Sequence, residues 1–423
     1  MHIWIDATRP ASTLFMFGMT LLERQLRTIK EAGLHPTTIS VLLAPGDNPP
    51  AALPDRLIRE LPLQWVNNGG LLCDQLTQAL QQKPDTPLLA LEADAVVDAR
   101  LLRHIGAQSG SLAARGGEGT ERTAVLRLES GVTLAGPSDA SLRELADASL
   151  SQGTLRELPL QEVPTHIREL RRDLPPNLFR VTDAAKRDDT ERFLFQSNYK
   201  GSTDFFTKYV YPPLVWRMVR PLARWRVHPN IVTFISIVLT LWAVPLFAQG
   251  QWVAGLLMAY SMSVLDSVDG KLARLTFRSS WWGNILDHGL DLIHPPLWYF
   301  GWAWALGGGT IDAPIFQAAI WMVVFYFLDR LVVRLFTART DRSLHSYTPL
   351  DVQLRTYISR RNINLPLFTV GLLLGIPSLT FVVIVLWQFA TLVYHYTRLV
   401  QFWDVKTTGD RGPETGDSGL SNE

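Results

Sequence analysis

The sequence holds a single cysteine, Cys73, among 423 residues. That excludes a disulfide framework or a cysteine-rich metal site within the chain. Net charge is also nearly missing: 40 Lys and Arg stand against 39 Asp and Glu, leaving +1. A general nucleic-acid binder carries a basic excess, so this balance argues against one. The opening residues MHIWIDATRP lack a basic stretch followed by an apolar one, and no signal peptide is expected there. Charged residues are scarce at 19%, whereas 47% are hydrophobic. These averages conceal a shift along the chain. Residues 1 to about 200 have the composition of a soluble domain, and long apolar runs follow from about residue 229.

Six apolar spans are expected, at about 231–249, 252–273, 284–306, 313–337, 362–377 and 379–400. The fifth is short and contains Pro366. Arg217, Arg220, Arg224 and Arg226 precede the first span, and Lys271, Arg274 and Arg278 surround the connection after the second. Arg339, Arg342, Arg355, Arg360 and Arg361 crowd the connection after the fourth. The opposite connections, FAQGQW, GGGTIDAP and GIPS, contain no Lys or Arg. The positive-inside rule then places both termini in the cytosol of a multi-pass inner-membrane protein.

One stretch stands out against this apolar background, SVLDSVDGKLARLTFRSSWWGNILDHGLD at 263–291. Asp266 and Asp269 are spaced i,i+3, and Asp287 and Asp291 are spaced i,i+4, so each pair shares one helix face. A carboxylate within an apolar span costs about 2.5–3.5 kcal/mol on insertion scales. Four of them would repel one another without a positive partner. Hard divalent cations with oxygen ligands, Mg²⁺ or Mn²⁺, answer that need and keep positions for phosphate oxygens. Gly270 and Gly283 allow close approach to the backbone. Buried carboxylates also serve ion pathways in transporters, but that reading leaves the Gly and Ala-Arg spacing unexplained.

The pattern Asp266-x2-Asp269-Gly270-x2-Ala273-Arg274-x8-Gly283-x3-Asp287-x3-Asp291 resembles the signature of the CDP-alcohol phosphotransferases, with every position filled. The likeness extends from about residue 200 to about 405. It implies transfer of a substituted phosphate from a CDP-alcohol donor to an acceptor alcohol, with CMP leaving. It further implies that Asp266, Asp269 and Asp287 ligate metal. Asp291 would be the general base and would also touch the metal. Gly270, Ala273, Arg274 and Gly283 would shape the nucleotide pocket. Pro229-Asn230-x2-Thr233 resembles the family's opening of its first membrane helix, which brings Asn230 and Thr233 to the nucleotide. Arg360 or Arg361 is expected on an acceptor phosphate, since an Arg fork matches phosphate geometry. Membrane lipids are expected as partners and a homodimer as the assembly. His288 and His294 read as packing or hydrogen-bonding residues, and the His-Pro-Pro run at 294–296 as a helix kink.

Residues 1–190 read as a soluble α/β domain, ahead of an all-α six-helix transmembrane domain at 229–405. HIWID, TTISVLL and PLLALEA read as buried strands, and GMTLLERQLRTIKEAGL as an amphipathic helix. This half resembles sugar-nucleotide and cytidylyl transferases. LLALEADAVVD resembles their metal-binding strand, which would place Asp94 on a metal. The segment DATRPASTLFMFG, however, has neither their glycine-rich loop nor their lysine. Transferase activity is therefore expected to be lost, with Asp94 a solvated turn residue.

Residues 191–228 form a linker and a juxtamembrane interfacial helix, with aromatics and Arg mixed in 203–228. Lys200 and Asp204, with the domain before them, also resemble enzymes joining an inositol-phosphate cytidylyltransferase to a di-inositol-phosphate phosphate synthase. A bifunctional enzyme making its own CDP-inositol is thus the alternative to an inactive N-terminal domain. Two donor classes stay open, CDP-diacylglycerol and a soluble CDP-alcohol. The tail at 406–423 is polar and glycine-rich, and is expected to be disordered.

Overall fold

A computed structural model describes residues 1–51, 53–67, 70–137, 140–167 and 169–403; the side chains of 282, 284–288 and 290–291 lie outside that description. The tail at 406–423 lies outside it as well. The chain divides into two compact units. The first comprises Met1–Tyr199, Trp216–Pro229 and Val268–Ser280; the second comprises Lys200–Val215, Asn230–Ser267 and the chain from Trp281.

The first unit is built on a seven-stranded sheet. Its strands in chain order are β1 (His2–Asp6), two short hairpin strands β2 (Phe15–Met16) and β3 (Met19–Thr20) outside the sheet, then β4 (Thr38–Leu42), β5 (Leu63–Val66) and β6 (Leu88–Glu92). β7 (Ala95–Val97) pairs off the sheet, and β8 (Leu112–Gly116), β9 (Thr123–Leu128) and β10 (Arg156–Glu157) complete it. The order across the sheet is β10-β8-β9-β6-β1-β4-β5. β1 lies parallel to both β4 and β6, whereas β9 runs antiparallel to β6 and β8. Alternation along HIWID explains how β1 comes to be buried on both faces. Ile3 and Ile5 join one apolar core, and Trp4 joins the other.

Helices cover the sheet: α1 (Leu21–Glu31), α2 (Asp55–Glu60), α3 (Leu72–Gln82), α4 (Ala99–Ala107) and α5 (Leu142–Ser151). Thr20 caps α1 through its side chain, which accepts from the Glu23 N–H at 3.1 Å. α6 (Ala184–Ser197) follows, fastened at Glu191. Its carboxylate accepts from the Phe17 N–H at 3.0 Å and from Arg220 Nε at 2.7 Å.

The expected single interfacial helix over 203–228 is two pieces, a π-type turn at Phe206–Val210 and helix α7 (Pro212–Arg224). Pro212 and Pro213 lack N–H groups and start a helix more readily than they continue one. Gly18 packs on α7 within the first unit. It sits at φ +77°, and a Cβ there would lie 2.0 Å from the Ala223 carbonyl oxygen. Gly18→Ala should therefore lower stability by more than about 1 kcal/mol, from the left-handed backbone alone. The clash with backbone adds to this, and the thermal midpoint of unfolding is the readout. An unchanged midpoint would show that this packing gives way easily.

The remaining helices are α8 (Pro229–Ala248), α9 (Trp252–Leu275), α10 (Trp281–Leu306), α11 (Pro314–Thr340), the short α12 (Pro349–Leu354), α13 (Arg361–Leu373) and α14 (Pro377–Gln401). Six of them fall on the six apolar stretches. Among the described residues two helices, α8 and α14, are long and apolar enough to cross a bilayer, with mean hydropathies of 2.3 and 1.7. α13 has 13 residues and spans about 20 Å at 1.5 Å per residue. α10 runs unbroken through Pro295 and Pro296. The second unit's core is aromatic. Trp302 stacks on Phe368 at 4.1 Å, and Phe247 meets Trp302 edge-on at 5.7 Å.

Candidate active site

Two helices carry the acidic stretch. Asp266 and Asp269 lie near the end of α9, and Gly283, Asp287 and Asp291 lie in the first half of α10. The side chains of Asp287, His288 and Asp291 fall outside the described residues. The boundary between the two compact units passes through α9, after Ser267.

In the second unit Asp266 is partly buried, and its Oδ2 accepts from Arg361 Nη2 at 2.7 Å. Arg361 opens α13, with Arg360 at the N-cap position. Further bonds hold the same guanidinium. Nη1 meets His294 Nε2 at 3.0 Å, which requires that nitrogen to accept, and Nε donates to Asn362 Oδ1 at 3.2 Å. Asn362 Nδ2 in turn donates to Asp204 Oδ2 at 3.2 Å and to Thr207 Oγ1 at 3.1 Å. Asp204 and His294 are buried, at 4% and 1% exposure. A relay therefore runs from the Lys200–Asp204 segment through α13 to the first signature carboxylate. Asn230 is half-buried in the first turn of α8, and Thr233 is buried with its carbonyl accepting from Ser236 Oγ at 2.9 Å.

The first unit holds the other end of α9. Asp269 is buried, Gly270, Ala273 and Arg274 are half-buried, and the Gly270 N–H lies 2.5 Å from Asp269 Oδ1. Arg274 Nε donates to Asn198 Oδ1 at 3.1 Å. Lys271, 4% exposed, lies over the Tyr199 ring at 2.9 Å and the Phe195 ring at 5.0 Å.

The signature side chains offer carboxylate oxygen only, a hard donor set suited to Mg²⁺ or Mn²⁺. An ionised carboxylate has about four lone-pair sites on two oxygens, so the bond from Arg361 is compatible with Asp266 also ligating a cation. Among the described residues no three His, Cys, Asp or Glu side chains form a metal cluster.

A second polar cluster sits at the carboxyl ends of β1 and β6, where strand order switches direction, the usual ligand crevice of an open α/β sheet. Asp94 is not the solvated turn residue expected from the sequence, for it is 1% exposed. Arg180 Nε lies 3.3 Å from its carboxylate, and Arg9 Nη1 lies 3.6 Å away. Arg9 also donates to Glu92 at 2.7 Å, and Thr123 Oγ1 donates to the other Glu92 oxygen at 2.6 Å. Burial pushes the Glu92 and Asp94 carboxyls up, against the pull of Arg9 on Glu92 and of Arg180 and Arg9 on Asp94. Arg9 comes from the same segment that lacks the glycine-rich loop and lysine. Two arginines thus stand on Glu92 and Asp94.

Comparison with known proteins bears on the helical unit. An archaetidylinositol phosphate synthase from Pyrococcus horikoshii is 37% identical over 93 residues, 22% of this chain and 48% of that protein. The segments matched in curated relatives span less than half of each relative's length. Among solved structures, the Mycobacterium tuberculosis phosphatidylinositol phosphate synthase with CDP-DAG bound aligns at TM-score 0.36 and 19% identity, over 48% of this chain and 99% of its own. UDP-glucose pyrophosphorylase complexed with UDP-glucose aligns at TM-score 0.32 and 9% identity, over 47% and 99%. The CDP-alcohol phosphatidyltransferase family model matches residues 226–401, which contain the whole acidic stretch.

Proposed function

We propose that the helical segment 226–401 transfers a substituted phosphate from a CDP-alcohol to an acceptor alcohol and releases CMP. The observation that carries this is the filled signature at 266–291 inside the matched segment. Asp266, Asp269, Asp287 and Asp291 would hold Mg²⁺ or Mn²⁺, which when bound neutralises charge on the pyrophosphate and on departing CMP. Asn230, Thr233, Gly270, Ala273, Arg274 and Gly283 receive the CDP moiety. Asp291 takes the proton of the acceptor hydroxyl as its oxygen attacks the phosphorus bonded to the donor alcohol. A new P–O bond forms, the bond to the CMP phosphate breaks, and a phosphodiester results.

The acceptor we favour is a phosphorylated polyol of the inositol phosphate type, and the donor a CDP-linked lipid. The names of the matched synthases support that pairing. So does Arg361, fixed on Asp266 at 2.7 Å with Arg360 beside it in sequence, a place where a guanidinium fork can hold an acceptor phosphate next to the reacting groups. We place the enzyme in the inner membrane as a six-span homodimer with its site facing the cytoplasm. The test is CMP release by the purified protein with CDP-diacylglycerol, with and without inositol phosphate, alongside mass spectrometry of co-purified nucleotides and lipids. Equal CMP release with unphosphorylated inositol would remove the acceptor assignment.

The α/β domain, in this reading, makes no CDP-alcohol. Arg9 and Arg180 neutralise Glu92 and Asp94, and the segment from Asp6 to Gly18 provides no amide-rich loop for a triphosphate. Supplied with CTP, Mg²⁺ and a panel of phosphorylated alcohols, the full chain should release no pyrophosphate. Release that depends on one of those alcohols and disappears in Asp94→Ala would make the enzyme bifunctional.

A further inference from the structure

The α/β domain is fastened to the end of α9 that carries Asp269, Gly270, Ala273 and Arg274, all within one compact unit. The connection has two strands. In the first, the Phe17 N–H bonds to Glu191 of α6 at 3.0 Å, and Glu191 is 1% exposed. Two turns further on, Asn198 caps the carboxyl end of α6, and its two amide ends are used differently. Nδ2 donates to the Leu194 carbonyl at 3.0 Å, while Oδ1 accepts from Arg274 Nε at 3.1 Å. The Asn198 carbonyl also accepts from Lys271 Nζ at 3.4 Å. Lys271 is clasped by Tyr199 and Phe195, and Phe195 packs on Trp216 at 5.0 Å.

In the second strand, Arg24 of α1 donates to the Leu275 carbonyl at 3.2 Å, and its guanidinium lies 4.9 Å from the Phe277 ring centre. Leu275 is the last residue of α9. A cationic donor there satisfies a helix-end carbonyl and complements the negative end of the helix dipole.

We infer that the α/β domain is a positioning element for the CDP end of α9, and that Asn198 is a positioning residue for Arg274. This rests on the reading above, in which Arg274 meets the CDP moiety. An Arg side chain has large rotamer freedom, which must be given up when its guanidinium is held in one place. A bond from Nε to a side chain whose own orientation is set by Leu194 fixes the plane of the guanidinium before the nucleotide arrives. Arg274 Nη2 also reaches the Asn198 carbonyl at 3.5 Å, so removing Oδ1 takes away the shorter of these two bonds and should weaken nucleotide binding while leaving the chemistry intact. The domain thus has a use without nucleotidyl transfer.

The test is CMP binding to the full chain with Mg²⁺ present, followed by calorimetry, since CMP is common to every CDP-alcohol donor. Asn198→Leu keeps the side chain's size and removes the acceptor, and should raise the Kd for CMP about tenfold, or about 1.4 kcal/mol. Asn198→Asp keeps an acceptor oxygen and should stay within about threefold of wild type, or about 0.65 kcal/mol. In turnover, Asn198→Leu should raise the KM for donor and leave kcat and the acceptor KM unchanged. Equal CMP affinity in Asn198→Leu and wild type overturns the inference. An equal loss in Asn198→Leu and Asn198→Asp also overturns it, because packing and not the acceptor would then matter. A wild-type protein that binds no CMP removes the nucleotide-site reading itself, which is a separate outcome.

Discussion

Asp291→Asn is expected to abolish CMP release while the protein remains folded and still binds CMP. The carboxamide has nearly the size of the carboxylate but cannot take a proton from the acceptor hydroxyl. General base catalysis is worth about 10²–10⁴-fold, so the loss should be at least about a hundredfold. The other three signature carboxylates remain as ligands, so nucleotide binding should fall far less than turnover. Measuring both separates the two roles. A mutant with full CMP release would show that another group accepts the proton. A mutant that loses CMP binding and turnover together would show that Asp291 acts first as a ligand. Asp266, whose carboxylate accepts from Arg361 Nη2 at 2.7 Å, supplies an internal contrast. Asp266→Asn keeps an oxygen for Arg361 but loses the negative charge, and should weaken metal and CMP binding along with turnover.

Removal of divalent metal is expected to have an effect as large. A chelator should bring CMP release to background, and added Mg²⁺ or Mn²⁺ should restore it. The physical reason is charge. The stretch at 266–291 concentrates four carboxylates, and the pyrophosphate of a CDP-alcohol brings further negative charge to the same place. Normal CMP release in chelator would refute the metal reading. Chelator-insensitive ion flux in proteoliposomes without CMP release would favour transport over transfer.

The sequence by itself determined the local elements and the chemistry-bearing spacing. The short apolar run HIWID and the periodic apolar residues of LLERQLRTIKE suffice for β1 and α1, because those patterns report directly on burial. The i,i+3 spacing of Asp266 and Asp269 likewise needed nothing beyond helix geometry, and α9 carries both. Apolar composition marked the stretches that became α8 to α11, α13 and α14, although among the described residues length and hydropathy single out α8 and α14 as spans.

Only the tertiary structure decided what those side chains touch. Arg361 reaches Asp266 across 95 residues, Arg274 reaches Asn198 across 76, and Arg9 reaches Glu92 across 83. Period and propensity are local, so no pattern in the sequence selects among 40 Lys and Arg the one that meets a given acid. The same reason explains Asp94. As a sequence feature it follows a strand and reads as a solvated turn. In the fold it lies beside β1 at a switch in strand order, where packing excludes water and Arg9 and Arg180 supply its counter-charge. Burial and ion pairing arise from which segments the chain brings together, and that is settled only when the sheet and the helices have closed around them.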